Sequence, residues 1–196
     1  MKAMEDKILQ EGQVISADVL KVGDFLNYRI DTRFINDCAK EIVRLFSDKK
    51  IDVVLTIESS GVALAFATAS LLDVPMVFAK KSKTSNVNDD LYHAKVHSFT
   101  HGTDNDVIVN RKHIRPGDRV LIVDDFLAAG NAFNGLISIV EQAGAEPVGV
   151  AAAIEKGFQG GGDALRAKGI RVESLAIVDR MEKGKIVFRP QPHHDM

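Results

Sequence analysis

An α/β protein with a central, mostly parallel sheet flanked by helices is the fold class this sequence predicts, and repeated strand–loop–helix units predict it. Residues 120–132 read Val-Leu-Ile-Val-Asp-Asp-Phe-Leu-Ala-Ala-Gly-Asn-Ala: apolar, mostly β-branched residues run into paired carboxylates and a small-residue turn. The apolar-periodic run at 132–143 follows as a helix. Residues 51–72 repeat the plan, with a buried strand over 51–57, the polar turn Glu58-Ser59-Ser60-Gly61 and a small apolar helix over 62–72. Further core strands are expected at 75–79 and 146–154.

In an open parallel sheet the ligand crevice lies at the carboxyl ends of the strands, so Asp124 and Asp125 are expected to face it. The turn at 128–132 carries little side chain, and its backbone N–H groups can close around an anion at the positive end of the following helix. A sugar phosphate has two ends to be held. Carboxylates accept hydrogen bonds from ribose hydroxyls and attract Mg²⁺, while amides in a tight turn take a phosphate.

Composition narrows the class. With 196 residues, 45% hydrophobic and 27% charged, the chain can bury a full core, and one domain over 1–196 is expected. A net charge of −2 gives no basic excess of the kind that marks a nucleic-acid footprint. Cys38 is the only cysteine, so no disulfide can form within one chain, and a core thiol in a reducing, cytoplasmic setting is expected. No apolar stretch reaches the length of a membrane span, and residues 1–10 are charged rather than signal-like.

In chain order, Met4, Ile8 and Leu9 lie at helical spacing in an opening helix over 1–11 that Gly12 can end. Residues 14–30 show no lasting helical period and read as extended segments and turns. Asp31 caps a helix over 32–47 with Phe34, Ile35, Cys38, Ile42, Leu45 and Phe46 on one face. The strand at 75–79 ends at Lys80-Lys81-Ser82-Lys83, and polar residues 84–91 read as a mobile flap. Strands at 93–100 and 106–110 are expected to form a hairpin at its base. His93, His97 and His101 recur every fourth residue, but alternation around Val96 and Phe99 favours strand, and no metal-ligand pattern accompanies them. Residues 115–118 form a turn, and Gly144 ends the 132–143 helix. The strand from Glu146 finishes at Glu155-Lys156. Gly160-Gly161-Gly162 reads as a flexible connection before Asp163, an N-cap for a helix over 164–168, and no Gly-Lys-Ser/Thr accompanies it. Closing strands are expected at 171–178 and 185–188, joined by a turn at 182–184, with a disordered tail over 189–196.

The run of four hydrophobics, two acids and a small-residue loop around Gly130 resembles the 5-phosphoribosyl-1-pyrophosphate (PRPP) loop of the type I phosphoribosyltransferases. The likeness extends over nearly the whole chain. Residues 18–22 and 25–27, 56–61, 123–128 and 154–158 are similar, in order, to bacterial members of that family that use xanthine. The resemblance implies a type I phosphoribosyltransferase fold with a flexible flap and a small hood from 1–30 and about 157–190. It also implies purine salvage: transfer of the phosphoribosyl group of PRPP to N9 of xanthine, giving xanthosine 5′-monophosphate and pyrophosphate. Carried over residue by residue, it assigns Leu20, Asn27 and Lys156 to xanthine and Ala128, Ala129, Gly130, Asn131 and Ala132 to PRPP. Asp124 and Asp125 take the ribose, with Mg²⁺ bound beside them with PRPP, and Ser59, Ser60 and Lys81 take the pyrophosphate; spacing alone does not separate Lys81 from Lys80 and Lys83. It further implies a homodimer with small-molecule substrates and no nucleic-acid or membrane partner. Alternatives are a transferase for another base and a PRPP-sensing, nucleic-acid-binding regulator of the same fold.

Two departures stand out. Ala129 and Ala132 stand where the family commonly has hydroxyl-bearing residues, leaving amides and Asn131 for the phosphate. Ala128 occupies the place where relatives that use hypoxanthine and guanine have an aspartate general base. Xanthine, unusually acidic for a purine, makes such a base less necessary.

Overall fold

The computed structural model of the chain describes residues 1–82, 90–98, 103–182 and 185–191, with the side chains of 97, 98, 103 and 104 left aside. Its order is α1 (Lys2–Glu11), β1 (Gln13–Val14), β2 (Leu20–Lys21), a π-helical turn (Gly23–Asn27), α2 (Thr32–Leu45), β3 (Val53–Ile57), α3 (Val62–Leu72), β4 (Met76–Ser82), β5 (Leu91–Ser98) and β6 (Thr103–Asn110). Then come β7 (Arg119–Leu127), α4 (Asn131–Gln142), β8 (Glu146–Lys156), α5 (Gly161–Ala167), β9 (Val172–Glu182) and β10 (Lys185–Phe188).

An eight-stranded sheet runs β10-β9-β8-β7-β3-β4-β6-β5. Its five middle strands are parallel, and β10 at one edge and the β5–β6 hairpin at the other are antiparallel. Continuous apolar strands in the middle require cover on both faces, and the helices provide it. Alternation along β7 divides the core: Leu121 and Val123 join the cluster under α1, α2 and α3, while Val120 and Ile122 join the cluster with α4 and α5. Each of these four side chains is fully buried, so truncating Leu121 or Ile122 to Ala removes about 2–5 kcal/mol.

Local chemistry sets the helix ends. Asp31 caps α2 by accepting a 3.1 Å hydrogen bond from the Phe34 amide. Gly144, at φ 66°, ends the chain's run through α4 in the left-handed region that glycine favours.

Several expectations are corrected. Phe25-Leu26-Asn27, read as extended, wind into the π-helical turn because Phe25 and Leu26 both bury in the α1–α2 core, which alternation along a strand would not allow. Leu9 is exposed, so Met4 and Ile8 alone anchor α1 in the core. In β4 only Ala79 is buried, and the strand continues through Lys80 and Lys81 to Ser82 because β6 supplies an antiparallel partner there. The strand carrying the acid pair likewise runs on to Leu127, since β8 pairs with it as far as Glu155.

The triple glycine is a packing surface rather than a slack connection. Gly160 is the N-cap of α5, at φ 73°, and Gly161 and Gly162 are buried in its first turn. Asp163 therefore lies inside the helix, bonded to Arg166 and Arg189. Most of the flap expected at 84–91, residues 99–102 of the expected hairpin, residues 183–184 of the turn expected at 182–184 and residues 192–196 of the tail expected over 189–196 lie outside the described residues.

Candidate active site

The carboxyl ends of the parallel strands open into a cleft of about 1300 Å³. Leu20 and Asn27 line it from the N-terminal segment, Ser60 from the turn after β3, Asp125, Phe126, Ala128 and Ala129 from the end of β7, and Lys156 from the end of β8. Residues that the sequence scatters from Leu20 to Lys156 thus share one cavity. Asp124, Gly130, Asn131, Ala132, Ser59 and Lys81 are not on its wall; they sit on the elements that frame it.

Asp124 and Asp125 are both buried, at 5% and 6% exposure. The Asp125 amide donates to Asp124 Oδ1 at 2.9 Å, and the Ser60 hydroxyl donates to Asp125 Oδ1 at 3.0 Å. Burial, and then the like charge of Asp125, push the Asp124 carboxyl well above the ordinary carboxylate range. Lys81 acts in the other direction on Asp124. Gly61 is required beside this carboxylate: a Cβ there would stand 2.3 Å from Asp124 Oδ1 and 2.6 Å from Thr56 Oγ1. Thr56 Oγ1 is itself buried without a hydrogen-bond partner.

The turn after β7 leads into α4 through Gly130 at φ 86°. Asn134 closes it by donating from its side-chain amide to the Gly130 carbonyl at 2.8 Å. The opening turn of an α-helix has N–H groups with no intrahelical acceptor, which makes this end a place for an anion. On the opposite strand end, Glu58 accepts from the Lys81 amide at 2.8 Å, tying the Glu58–Gly61 turn to β4. Ser59 is exposed on that turn, and its peptide bond with Glu58 is cis.

Across the cleft, the half-buried Lys156 donates from Nζ to the Asp18 carbonyl at 2.8 Å and lies 5.5 Å from the Phe126 ring centroid. Burial lowers its pKa from the usual lysine value, against a smaller opposing effect of Asp18. Asn27 Oδ1 is a buried acceptor with no hydrogen-bond partner.

Sequence reasoning passed over Phe126, Thr56 and Glu155. Phe126 had a signal, the aromatic that immediately follows the acid pair. Thr56 and Glu155 had none, because their burial depends on how β3 and β8 sit in the sheet. Among the described residues no group of three or more His, Cys, Asp or Glu side chains is arranged to hold a metal, and no helix is long and apolar enough to cross a membrane.

Paired buried acids and an anion-receptive turn at the carboxyl end of one parallel strand define an α/β protein whose crevice can receive an anionic ligand. The phosphoribosyl transferase domain model matches residues 27–184, so the chain belongs to the phosphoribosyltransferase family. It is 48% identical over 190 residues to xanthine phosphoribosyltransferase 1 of Clostridium perfringens, covering 96% of this chain and 100% of that one. It is 47% identical over 190 residues to xanthine phosphoribosyltransferase of Clostridioides difficile, with the same coverage of 96% and 100%. Among solved structures, the fold is similar to APRTase from Giardia lamblia complexed with 9-deazaadenine, at TM-score 0.74 and 23% identity over 89% of this chain and 96% of that one. It is also similar to adenine phosphoribosyltransferase from Rhodothermus marinus, at TM-score 0.72 and 24% identity over 91% and 100%. The type I phosphoribosyltransferase fold expected from the sequence is the fold observed.

Proposed function

We propose that this phosphoribosyltransferase moves the 5-phosphoribosyl group of PRPP to N9 of xanthine, giving xanthosine 5′-monophosphate and pyrophosphate in purine salvage. One observation carries the reading: a buried unpartnered acceptor on Asn27 and a half-buried donor on Lys156 share a cleft with Asp125 and the turn at 128–129. The named relatives at 48% and 47% identity support the same substrate.

Xanthine has two carbonyls and ring N–H groups. Lys156 Nζ donates to one carbonyl, and the Asn27 carboxamide meets the other carbonyl and an adjacent N–H. Leu20 and Phe126 pack against the ring. Hypoxanthine lacks one of the carbonyls, and a base that leaves buried polar groups without partners is strongly discriminated against.

The turn at 128–132 takes the 5′-phosphate on its amides and Asn131, Asp124 and Asp125 take the ribose hydroxyls, and Ser59, Ser60 and Lys81 face the pyrophosphate. The buried acid pair suits Mg²⁺ brought in with PRPP, since this ion is usually held by one or two carboxylates together with substrate oxygens. Asp124 and Asp125 would hold that ion beside PRPP, where it would supply charge neutralisation for the leaving pyrophosphate.

The bond from the anomeric carbon to pyrophosphate breaks as the sugar becomes oxocarbenium-like, and N9 bonds to that carbon from the opposite face. This chain's residues hold and orient the partners, a contribution worth on the order of 7–11 kcal/mol in well-aligned cases. With Ala128 in the place of a carboxylate base, the acidity of xanthine itself supports loss of its proton.

We also read residues 1–30 and about 157–190 of this single domain as the hood, and the assembly as a homodimer in the cytoplasm. Exposed Phe66, Leu71 and Phe78 offer apolar surface that a second copy would cover. Buried Cys38, its thiol pushed up to about 12 by burial, suits a reducing compartment.

Turnover of xanthine, guanine, hypoxanthine and adenine with PRPP and Mg²⁺, followed by ultraviolet absorbance, tests the reading. Xanthine is expected to have the highest kcat/KM. Equal kcat/KM for xanthine, guanine and hypoxanthine would refute the selectivity, and salt-dependent nucleic-acid binding without any turnover would refute the enzyme.

A further inference from the structure

A buried ion pair outside the cleft lies directly behind the turn that the proposed function assigns to PRPP. Glu155 is fully buried, and Arg166 of α5 grips it with a pair of bonds, Nη1 to Oε1 at 2.9 Å and Nη2 to Oε2 at 2.8 Å. The Ser174 hydroxyl donates to Oε2 at 2.6 Å. A fully buried carboxylate is tolerated only with such partners. The pairing ties α5 to the end of β8.

Two adjacent glycines of α5 translate that position. Gly162 packs on the carboxylate: a Cβ there would stand 2.0 Å from Glu155 Oε1. Gly161 packs on the turn: a Cβ there would stand 2.2 Å from the Ala128 carbonyl oxygen and 2.5 Å from the Gly130 nitrogen. The Gly161 amide also donates to the Ala128 carbonyl at 3.2 Å. The first turn of α5 is therefore wedged between Glu155 and residues 128–130, with Arg166 fastening the wedge from the next turn. Arg166 and Arg189 both hold Asp163, which keeps that turn in register with β9 through Asp179.

We infer that Arg166, through its pair with Glu155, is a positioning residue for PRPP: it holds α5 against the 128–130 backbone so that the turn keeps its phosphate-binding shape. The inference rests on the reading that this turn holds PRPP. Both terminal nitrogens of Arg166 are engaged by carboxylates of this chain, Nη1 by Glu155 and Asp163 and Nη2 by Glu155, so it acts through the turn and not on the substrates. It differs in this from Lys156, the chain neighbour of Glu155, which faces the base.

Arg166→Met, Arg166→Lys and Gly161→Ala are to be compared with wild type by steady-state kinetics in which PRPP and xanthine are varied separately, with thermal melting alongside. Gly130→Val, which strains the turn itself, serves as the reference for PRPP binding. Each folded variant is expected to raise KM for PRPP by roughly 10–100-fold, the scale of a small misplacement of a binding group, while KM for xanthine stays within about twofold. Arg166→Lys, which keeps the charge and loses the two-pronged grip, should fall between wild type and Arg166→Met. If Arg166→Met does not fold, Arg166→Lys and Gly161→Ala carry the test. Normal KM for PRPP in them while Gly130→Val raises it, or equal rises in both KM values, overturns the inference and leaves the turn's assignment standing. Normal KM for PRPP in Gly130→Val removes the assignment itself.

Discussion

Lys156, which we propose contacts the base, would carry both recognition and pH dependence in one side chain. Its ammonium is half-buried against Phe126 and bonded to the Asp18 carbonyl, and burial lowers its pKa from 10.5. Because the folded value is the lower one, burial of the charged form costs stability below it, and that cost is relieved as pH rises toward 10.5. Recognition moves in the opposite sense, since only the protonated amine donates as a cation to a xanthine carbonyl. KM for xanthine is therefore expected to climb on the alkaline side, beginning below pH 10.5, where Lys156 loses its proton. Lys156→Arg stays charged throughout that range, so its KM profile should be flatter than that of wild type under the same ionisation of xanthine. Parallel profiles for the two proteins would separate Lys156 from the base. Asn27, which we propose works beside it, has a buried side-chain oxygen with no hydrogen-bond partner, an acceptor that the ring N–H of a purine dione would satisfy.

At the scale of elements, the site consists of strand ends and the turns that leave them. The turn at 58–61 touches β7 through Gly61, which leaves space for Asp124 Oδ1 and Thr56 Oγ1. Gly61→Ala puts a methyl group 2.3 Å from that carboxylate oxygen, and the expected result is a folded protein whose kcat/KM for PRPP falls by about 10²-fold. Circular dichroism together with PRPP-dependent rates checks it; wild-type rates would mean that Asp124 need not keep its place. This unit was also the most legible in the sequence. The strand at 53–57 and the helix at 62–72 follow from apolar runs broken by a polar turn, as does the path from Arg119 through Asp124 and Asp125 to α4. What local pattern could not show was close approach. Gly161 and Gly162 look like slack in the chain, and only the fold brings a neighbouring backbone to one and a carboxylate to the other. Phe25 and Leu26 lost their extended reading in the same way, because the core they fill lies on two other helices. The lysines at 80 and 81 read as the point where a strand ends, and only the fold shows it continuing through them, because β6 supplies a partner from downstream.

The whole molecule is a sheet with separate cores on its two faces, held in register across β3 and β7 near the end opposite the cleft. Arg119 binds Asp52 there with Nε to Oδ2 at 2.7 Å and Nη2 to Oδ1 at 2.9 Å, and its amide adds a third bond at 3.0 Å. These bonds, led by the guanidinium, hold the Asp52 carboxyl down to about 2 from 3.8. A lowered carboxyl contributes stability that is complete above its unfolded value and lost as pH falls through the folded one. Asp52→Asn should therefore melt below wild type near neutral pH, with the gap narrowing as pH drops from 3.8 toward about 2. A gap unchanged at the acid end would show that the ion pair is not its source. The sheet's other end opens into the cleft lined by Leu20, Asn27, Ser60, Asp125 and Lys156, and the proposed transfer depends on the acid pair Asp124 and Asp125 at its edge. The most direct measurement is a calorimetric titration of PRPP with Mg²⁺ into wild type and into the Asp124→Ala, Asp125→Ala double variant. Saturable binding by wild type, weakened by roughly 10²-fold or more in a variant that still melts cooperatively, is the expected result. Equal affinity in the two folded proteins would contradict it.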